Sequence, residues 1–226
     1  MAQLLDQVLG NPSGLIGTLV FRVRKGASFI SRKPSHRSSA PEPKEVALRS
    51  KFGLGVKVAA GINSIKELKD CWPKATGRAS KCNQIFQANY KLINSAANLG
   101  SVAVAPIFGF NVLNSVLTAG VSGINLVTDA LGVGIGIDTS IEKYCVVAGV
   151  VVLQTPTLAS IDPVEVIAFK SMQHNLDLIN PVDLSAEFMG GPLSLYQSYT
   201  DRKVFACIVT LDEDGKAIRY SCTMHN

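Results

Sequence analysis

The chain has 226 residues, 47% of them hydrophobic and 17% charged, and 22 Lys/Arg stand against 17 Asp/Glu for a net charge of +5. That balance excludes a disordered polyelectrolyte and a short disulfide-stapled peptide, and a chain of this length buries about 70% of its unfolded surface, enough for a core without metal or disulfide help. A single tryptophan, Trp72, and 7% aromatic residues leave little material for a stacking platform that would hold sugars or single-stranded bases.

Met1 to Gln7 lack the basic and long apolar regions of a secretory leader, so a virion or cytoplasmic location is expected. Residues 17–32 read as a β-hairpin whose loop is Lys25-Gly26. That loop sets Phe21 opposite Ile30 and Arg22 opposite Phe29, with one face apolar and the other lined by arginine stems. Residues 33–43 form a polar Pro/Ser-rich connector, expected to lie extended as an arm.

From Pro43 the pattern turns helical, with Val46, Phe52, Val56, Ala59, Ile62, Ile65 and Leu68 on one stripe. Gly53, Gly55 and Gly61 weaken this helix, which calls for close packing against another element or a break near Gly61, and Pro73 ends the segment. A second helix is expected over 78–97, with Cys82, Ile85, Phe86, Asn89, Tyr90 and Ile93 on its apolar stripe. After Gly100 the pattern becomes short apolar runs at 102–104, 108–113, 116–117, 144–153, 164–169, 182–188, 204–211 and 217–222, a sandwich-like cadence. The last two enclose a turn with Gly215 at its left-handed position, and the 204–211 run is apolar on both faces, as a central strand requires. The uncharged stretch 102–123 is long enough to cross a bilayer, but Pro106, Asn111, Asn114 and its glycines favour strands, so membrane insertion is not expected. The fold class is α+β: an N-terminal β-hairpin and two helices followed by a mostly antiparallel, β-sandwich-like region. The expected divisions are 1–43, 44–97 and 98–226.

Charge is unevenly distributed. Residues 1–95 hold 16 Lys/Arg and 5 Asp/Glu, net +11, whereas residues 96–226 hold 6 and 12, net −6. Such polarity suits a basic nucleic-acid arm, a polar oligomer stacked head to tail, or two regions attracting each other inside one fold. The candidate contact residues are Arg22, Arg24, Lys25, Arg32, Lys33, Arg37, Lys44, Arg49 and Lys51, because clustered cations release counterions on meeting phosphates and also serve as subunit contacts. No enzymatic constellation stands out. The five cysteines (Cys71, Cys82, Cys145, Cys207, Cys222) include no C-x-x-C pair, and His36, His174 and His225 are too scattered for a triad or metal site. Gly132, Gly134 and Gly136 do not make G-x-G-x-x-G, and Asp212, Glu213 and Asp214 read as a solvated turn lacking the other ligands of a calcium loop. No catalytic residue, cofactor, metal or small-molecule substrate is therefore expected.

Several blocks carry a family likeness: Asn11-Pro-Ser-Gly-Leu-Ile-Gly17-Thr-Leu-Val-Phe21, the Lys25-Gly26 turn, Ser31-Arg-Lys-Pro34, Arg49-Ser-Lys-Phe-Gly-Leu-Gly-Val-Lys57, and a C-terminal echo in Ile208-Val-Thr-Leu-Asp-Glu-Asp-Gly-Lys216. In these blocks the chain resembles an uncharacterised family of Bacteroidota and phage-like genomes, domain of unknown function 6266, over residues 11–95. The resemblance implies a helical-plus-β architecture and a bacterial or phage origin; it implies no activity. The reading that follows is a non-enzymatic bacteriophage or phage-like virion component that self-associates through residues 18–51, or binds other virion proteins. The alternative is a nucleic-acid-binding module that uses the basic N-terminal region on phosphates.

Overall fold

The computed structural model describes residues 2–4, 14–24, 27–33, 41–73, 80–94, 99–132 and 136–226. The chain divides into two units, Met1–Glu42 and Pro43–Asn226. The first is a four-stranded antiparallel sheet of β1 (Ala2–Leu4), β2 (Gly14–Ile16), β3 (Leu19–Arg24) and β4 (Ala27–Arg32), in the order β1-β4-β3-β2. Phe21 pairs with Ile30 and Arg22 with Phe29, the register that the hairpin pattern predicts. A second tight turn precedes it: Gly17, at φ +59, and Thr18 connect Ile16 to its partner Leu19. The face opposite Phe21 carries Arg22, as the hairpin pattern predicts, but Arg32 falls on the Phe21 face, which is therefore not wholly apolar. Leu19 pairs with Arg32 and Arg22 with Phe29, three positions apart on β3, so Arg22 and Arg32 fall on opposite faces. Lys25, Gly26 and most of the Pro/Ser-rich arm lie outside the described residues.

The second unit is layered, with the helices of residues 43–92 on one side of a large sheet and a small sheet together with the helix of residues 190–197 on the other. Its helices are α1 (Pro43–Ser64), α2 (Lys66–Cys71), α3 (Lys81–Leu92) and α4 (Gly190–Gln197). The large sheet has β7 (Tyr144–Pro156) and β11 (Tyr199–Leu211) at its centre, flanked by β8 (Val164–Lys170) and β12 (Ala217–Tyr220). The short strands β9 (His174–Asn175) and β13 (Met224–His225) pair with β7 and β11. The small sheet has the order β10-β6-β5, from β5 (Val116–Ala119), β6 (Gly123–Thr128) and β10 (Val182–Glu187). All ladders within the sheets are antiparallel.

Two hydrophobic clusters meet at the β7–β11 pair because side chains alternate across a strand. Val147, Val151, Val204 and Ile208 face the small sheet with Leu126 and Leu184, whereas Val146, Val150, Phe205 and Val209 face the helices with Leu54, Val58 and Ile62. This sandwiching between two layers is why 204–211 reads as apolar on both sides. The helical residues expected at 44–97 thus share a core with strands from 98–226. Gly149 on β7 leaves no room for a side chain: a Cβ there would collide with the Phe205 carbonyl oxygen and meet the Phe169 ring at 3.0 Å.

Glycine also explains how α1 seats. A Cβ on Gly61 would stand 3.2 Å from Val150 Cγ1, and one on Gly55 3.0 Å from Phe86 Cε2, so the helix lies on the sheet at one glycine and on α3 at the other. The helix runs through Gly61 and breaks at Ile65, whose backbone is extended at φ −90, ψ 118. The buried face is Leu54, Gly55, Val58, Ala59 and Ile62; Val46, Phe52 and Val56, expected inside, are exposed. Phe52 nevertheless sets its ring edge-on to Phe86, centroids 5.1 Å apart. Ser80 caps α3 by accepting from the Asn83 N–H at 3.2 Å, which starts the helix later than the expected residue 78.

The runs 102–104 and 108–113 do not form ladder strands. Val102 and Val104 are buried in an irregular segment tied by side chains: Asn89 bonds both backbone groups of Ala103, and the Trp72 indole donates to Val104 O at 3.2 Å. In 108–113 only Phe110 makes a bridge, with Ser221. Among the described residues, no helix is long and apolar enough to cross a membrane.

Candidate functional site

The basic residues singled out by charge are divided between the two units. Arg22, Arg32 and Lys33 are exposed on or beside the N-terminal sheet, and the Lys33 N–H donates to Thr18 O at 2.6 Å. Arg24 ends β3 opposite Ala27, and Lys25 and Arg37 lie outside the described residues. Lys44, Arg49 and Lys51 belong to α1 in the other unit. There Arg49 is engaged by Glu45 at 2.7 Å, an i,i+4 pair, and Lys51 stands 4.6 Å above the Tyr90 ring. Among the described residues, they are not gathered into one track of free cations.

The buried or clustered titratable groups of the second unit hold structure together. Glu142, 1% exposed, takes the Thr210 hydroxyl, the Arg219 Nε–H at 3.1 Å and the Asp138 N–H at 3.1 Å, which ties the approach to β7 onto β11 and β12. Lys57 on α1 reaches Glu165 at 2.8 Å, Asp162 at 3.2 Å and Val164 O at 2.9 Å, fastening the helix to β8. Burial works against its charge, but the hydrogen bonds to the two carboxylates outweigh it and hold Lys57 above its ordinary pKa. Each of these polar groups is engaged by the others. His174 and His225 are exposed on separate short strands, and the described residues include no group of three His, Cys, Asp or Glu that could hold a metal ion.

Sequence periodicity did not reveal a recess on the second unit. A recess of about 660 Å³ opens between the end of α2, the outer side of α3, the irregular segment 103–108 and Tyr220 of β12. Its walls are Trp72, Pro73, Ala88, Leu92, Ala103, Ala105, Pro106, Ile107, Phe108 and Tyr220, with Cys71 and Lys91 as polar members. A neighbouring recess of about 560 Å³ shares Trp72, Pro73, Ala88, Lys91 and Pro106 and continues along α3 past Gln84 and Tyr90. Burial, followed by the neighbouring Asp70 carboxylate, pushes the Cys71 thiol up to about 12, and its Sγ–H donates to Glu67 O at 3.1 Å. It is an inert lining group rather than a nucleophile. Among the described residues, buried Gln84 Oε1 accepts no hydrogen bond and exposed Lys91 has no ion-pair partner.

Four separate segments, three between residues 71 and 108 and the fourth at Tyr220, build this recess, so no single motif announces it. The clues were only Trp72-Pro73 and the Pro106-Ile107-Phe108 turn, in which Ile107 is 84% and Phe108 93% exposed. No protein-family model, curated protein or solved structure matches the chain.

Proposed function

We propose that the protein is a non-enzymatic structural component, of a phage-like virion, that self-associates through its N-terminal sheet. The observation that carries this reading is the sheet itself: Leu15, Leu19 and Val23 are exposed at 54%, 42% and 40% in a unit bounded at Glu42. A sheet of this size buries too little apolar surface to be stable alone and gains stability when another surface covers it. Leu19 and Val23 share one face with Phe21, while Leu15, paired with Val20, lies on the other. Residues 1–42 hold six Lys/Arg against two Asp/Glu while residues 43–226 hold 16 against 15, so the association rests on the apolar face and on local acidic patches, not on opposite net charges. Placement of Arg22 and Arg32 on opposite faces favours this reading over a single phosphate-tracking face.

The test is the absolute mass of nuclease-treated protein over a range of concentrations, by light scattering after size exclusion. A defined oligomer is expected, reduced to monomer by the double variant Leu19→Lys, Val23→Lys. A monomeric unaltered protein removes the proposal, and bound material absorbing at 260 nm that nuclease strips away moves the assignment to nucleic acid.

A further inference from the structure

We infer that the recess between α2, α3 and β12 binds a small amphipathic molecule with an apolar body and a carboxylate head. This inference does not depend on the oligomeric reading above. A volume of about 660 Å³ lies in the range of small-molecule sites, and the walls are apolar apart from a few side chains. Trp72, Leu92, Ala105, Phe108 and Tyr220 offer aromatic and aliphatic surface to a hydrocarbon. Two donors line the same walls. Lys91 is exposed at the rim without an ion-pair partner among the described residues, and no described residue bonds the Tyr220 hydroxyl. An ammonium and a phenol both donate, whereas the described residues of the wall include no carboxylate to attract a cationic head. The charge and the lining therefore select an anion over a cation and an amphiphile over a purely polar ligand.

The recess reports on itself because Trp72, the chain's single tryptophan, is one of its walls. The probe is decanoate, titrated below its micelle-forming concentration against the full chain with Trp72 fluorescence as the readout, and compared with decanol and decyltrimethylammonium. Decanoate is expected to shift the emission saturably and to bind more tightly than either analogue. Lys91→Met, a change at an exposed helical position, is expected to weaken decanoate about fivefold and to erase its preference over decanol. Ala88→Phe, which fills the recess from α3, is expected to abolish the response while leaving the circular dichroism unchanged. The inference is overturned if decanoate produces no saturable shift, if the cationic analogue binds equally well, or if Lys91→Met leaves affinity unaltered. A response to anionic lipid vesicles without one to free decanoate also overturns it, in favour of a membrane surface.

Discussion

Glu142 shows how a single polar residue holds a layered fold at its edge. The carboxylate is buried but satisfied by the Thr210 hydroxyl, the Arg219 guanidinium and the Asp138 N–H, so removing it leaves three donors to be rehydrated or stranded. Glu142→Ala is expected to cost about 2–3 kcal/mol, less than the full value for a buried ion pair because Arg219 reaches solvent, and urea unfolding reads it directly. The cysteines set the alkaline limit. Burial raises Cys71 to about 12 and Cys145 to about 11, from 9.0 for a free thiol. Between those values the unfolded chain has lost protons that the folded chain retains, so folding stability is intact below pH 9 and falls as pH rises through 9 towards 11. Urea midpoints at pH 7, 9 and 10 should decline in that order, with a shallower decline in Cys145→Ala. Such residue roles were not legible in the sequence, because Glu142 meets Thr210 and Arg219 only after two strands have paired.

At the scale of elements, α1 separates helix propensity from packing. Gly53 has nothing within 4 Å of where a Cβ would stand, whereas Gly61 faces Val150 and Val166. Gly53→Ala should therefore stabilise the protein by about 0.5–1 kcal/mol through propensity and a less flexible unfolded chain. Gly61→Val should destabilise it by about 2 kcal/mol, because a branched side chain lifts the helix off β7 and β8. Thermal unfolding of the two variants distinguishes the roles that one composition rule assigns alike. The strands Tyr144–Pro156 and Tyr199–Leu211 were legible in their apolar parts, 144–153 and 204–211, and the Gly215 turn as a left-handed glycine. Strand β6 and helix α4 were missed. Gly123–Thr128 is short with an interior Asn125, and α4 opens with Gly190, Gly191 and Pro192, so neither declares itself by local pattern. Val102–Val104 misled in the other direction, since its burial comes from side-chain ties to Asn89 and Trp72 instead of a ladder.

For the molecule as a whole, the described members of the two hydrophobic clusters of the second unit all follow Glu42. A chain of residues 43–226 should fold cooperatively on its own, with near-native circular dichroism and a single urea transition; a molten, non-cooperative product would show that the N-terminal sheet completes the core. The charge polarity that drew attention to residues 1–95 spans this division. Lys57 is engaged by carboxylates of β8 and the loop before it, and Lys81 pairs with Asp70. Part of the positive excess thus serves the fold of the second unit, while Arg22 and Arg32 stay exposed on the first.

The sequence alone determined what depends on neighbours along the chain: the register of the N-terminal hairpin, the two-sided apolar strands, the glycine-rich helix and the α+β class. These follow from periodicity and turn chemistry, which act over a few residues. Only the tertiary structure decided which face of α1 is buried, that helices and strands share a core, and that Trp72, Lys91, Phe108 and Tyr220 line one recess. Those outcomes depend on contacts between residues tens of positions apart, whose closeness is set by the packing of whole elements and leaves no local mark in the order of residues.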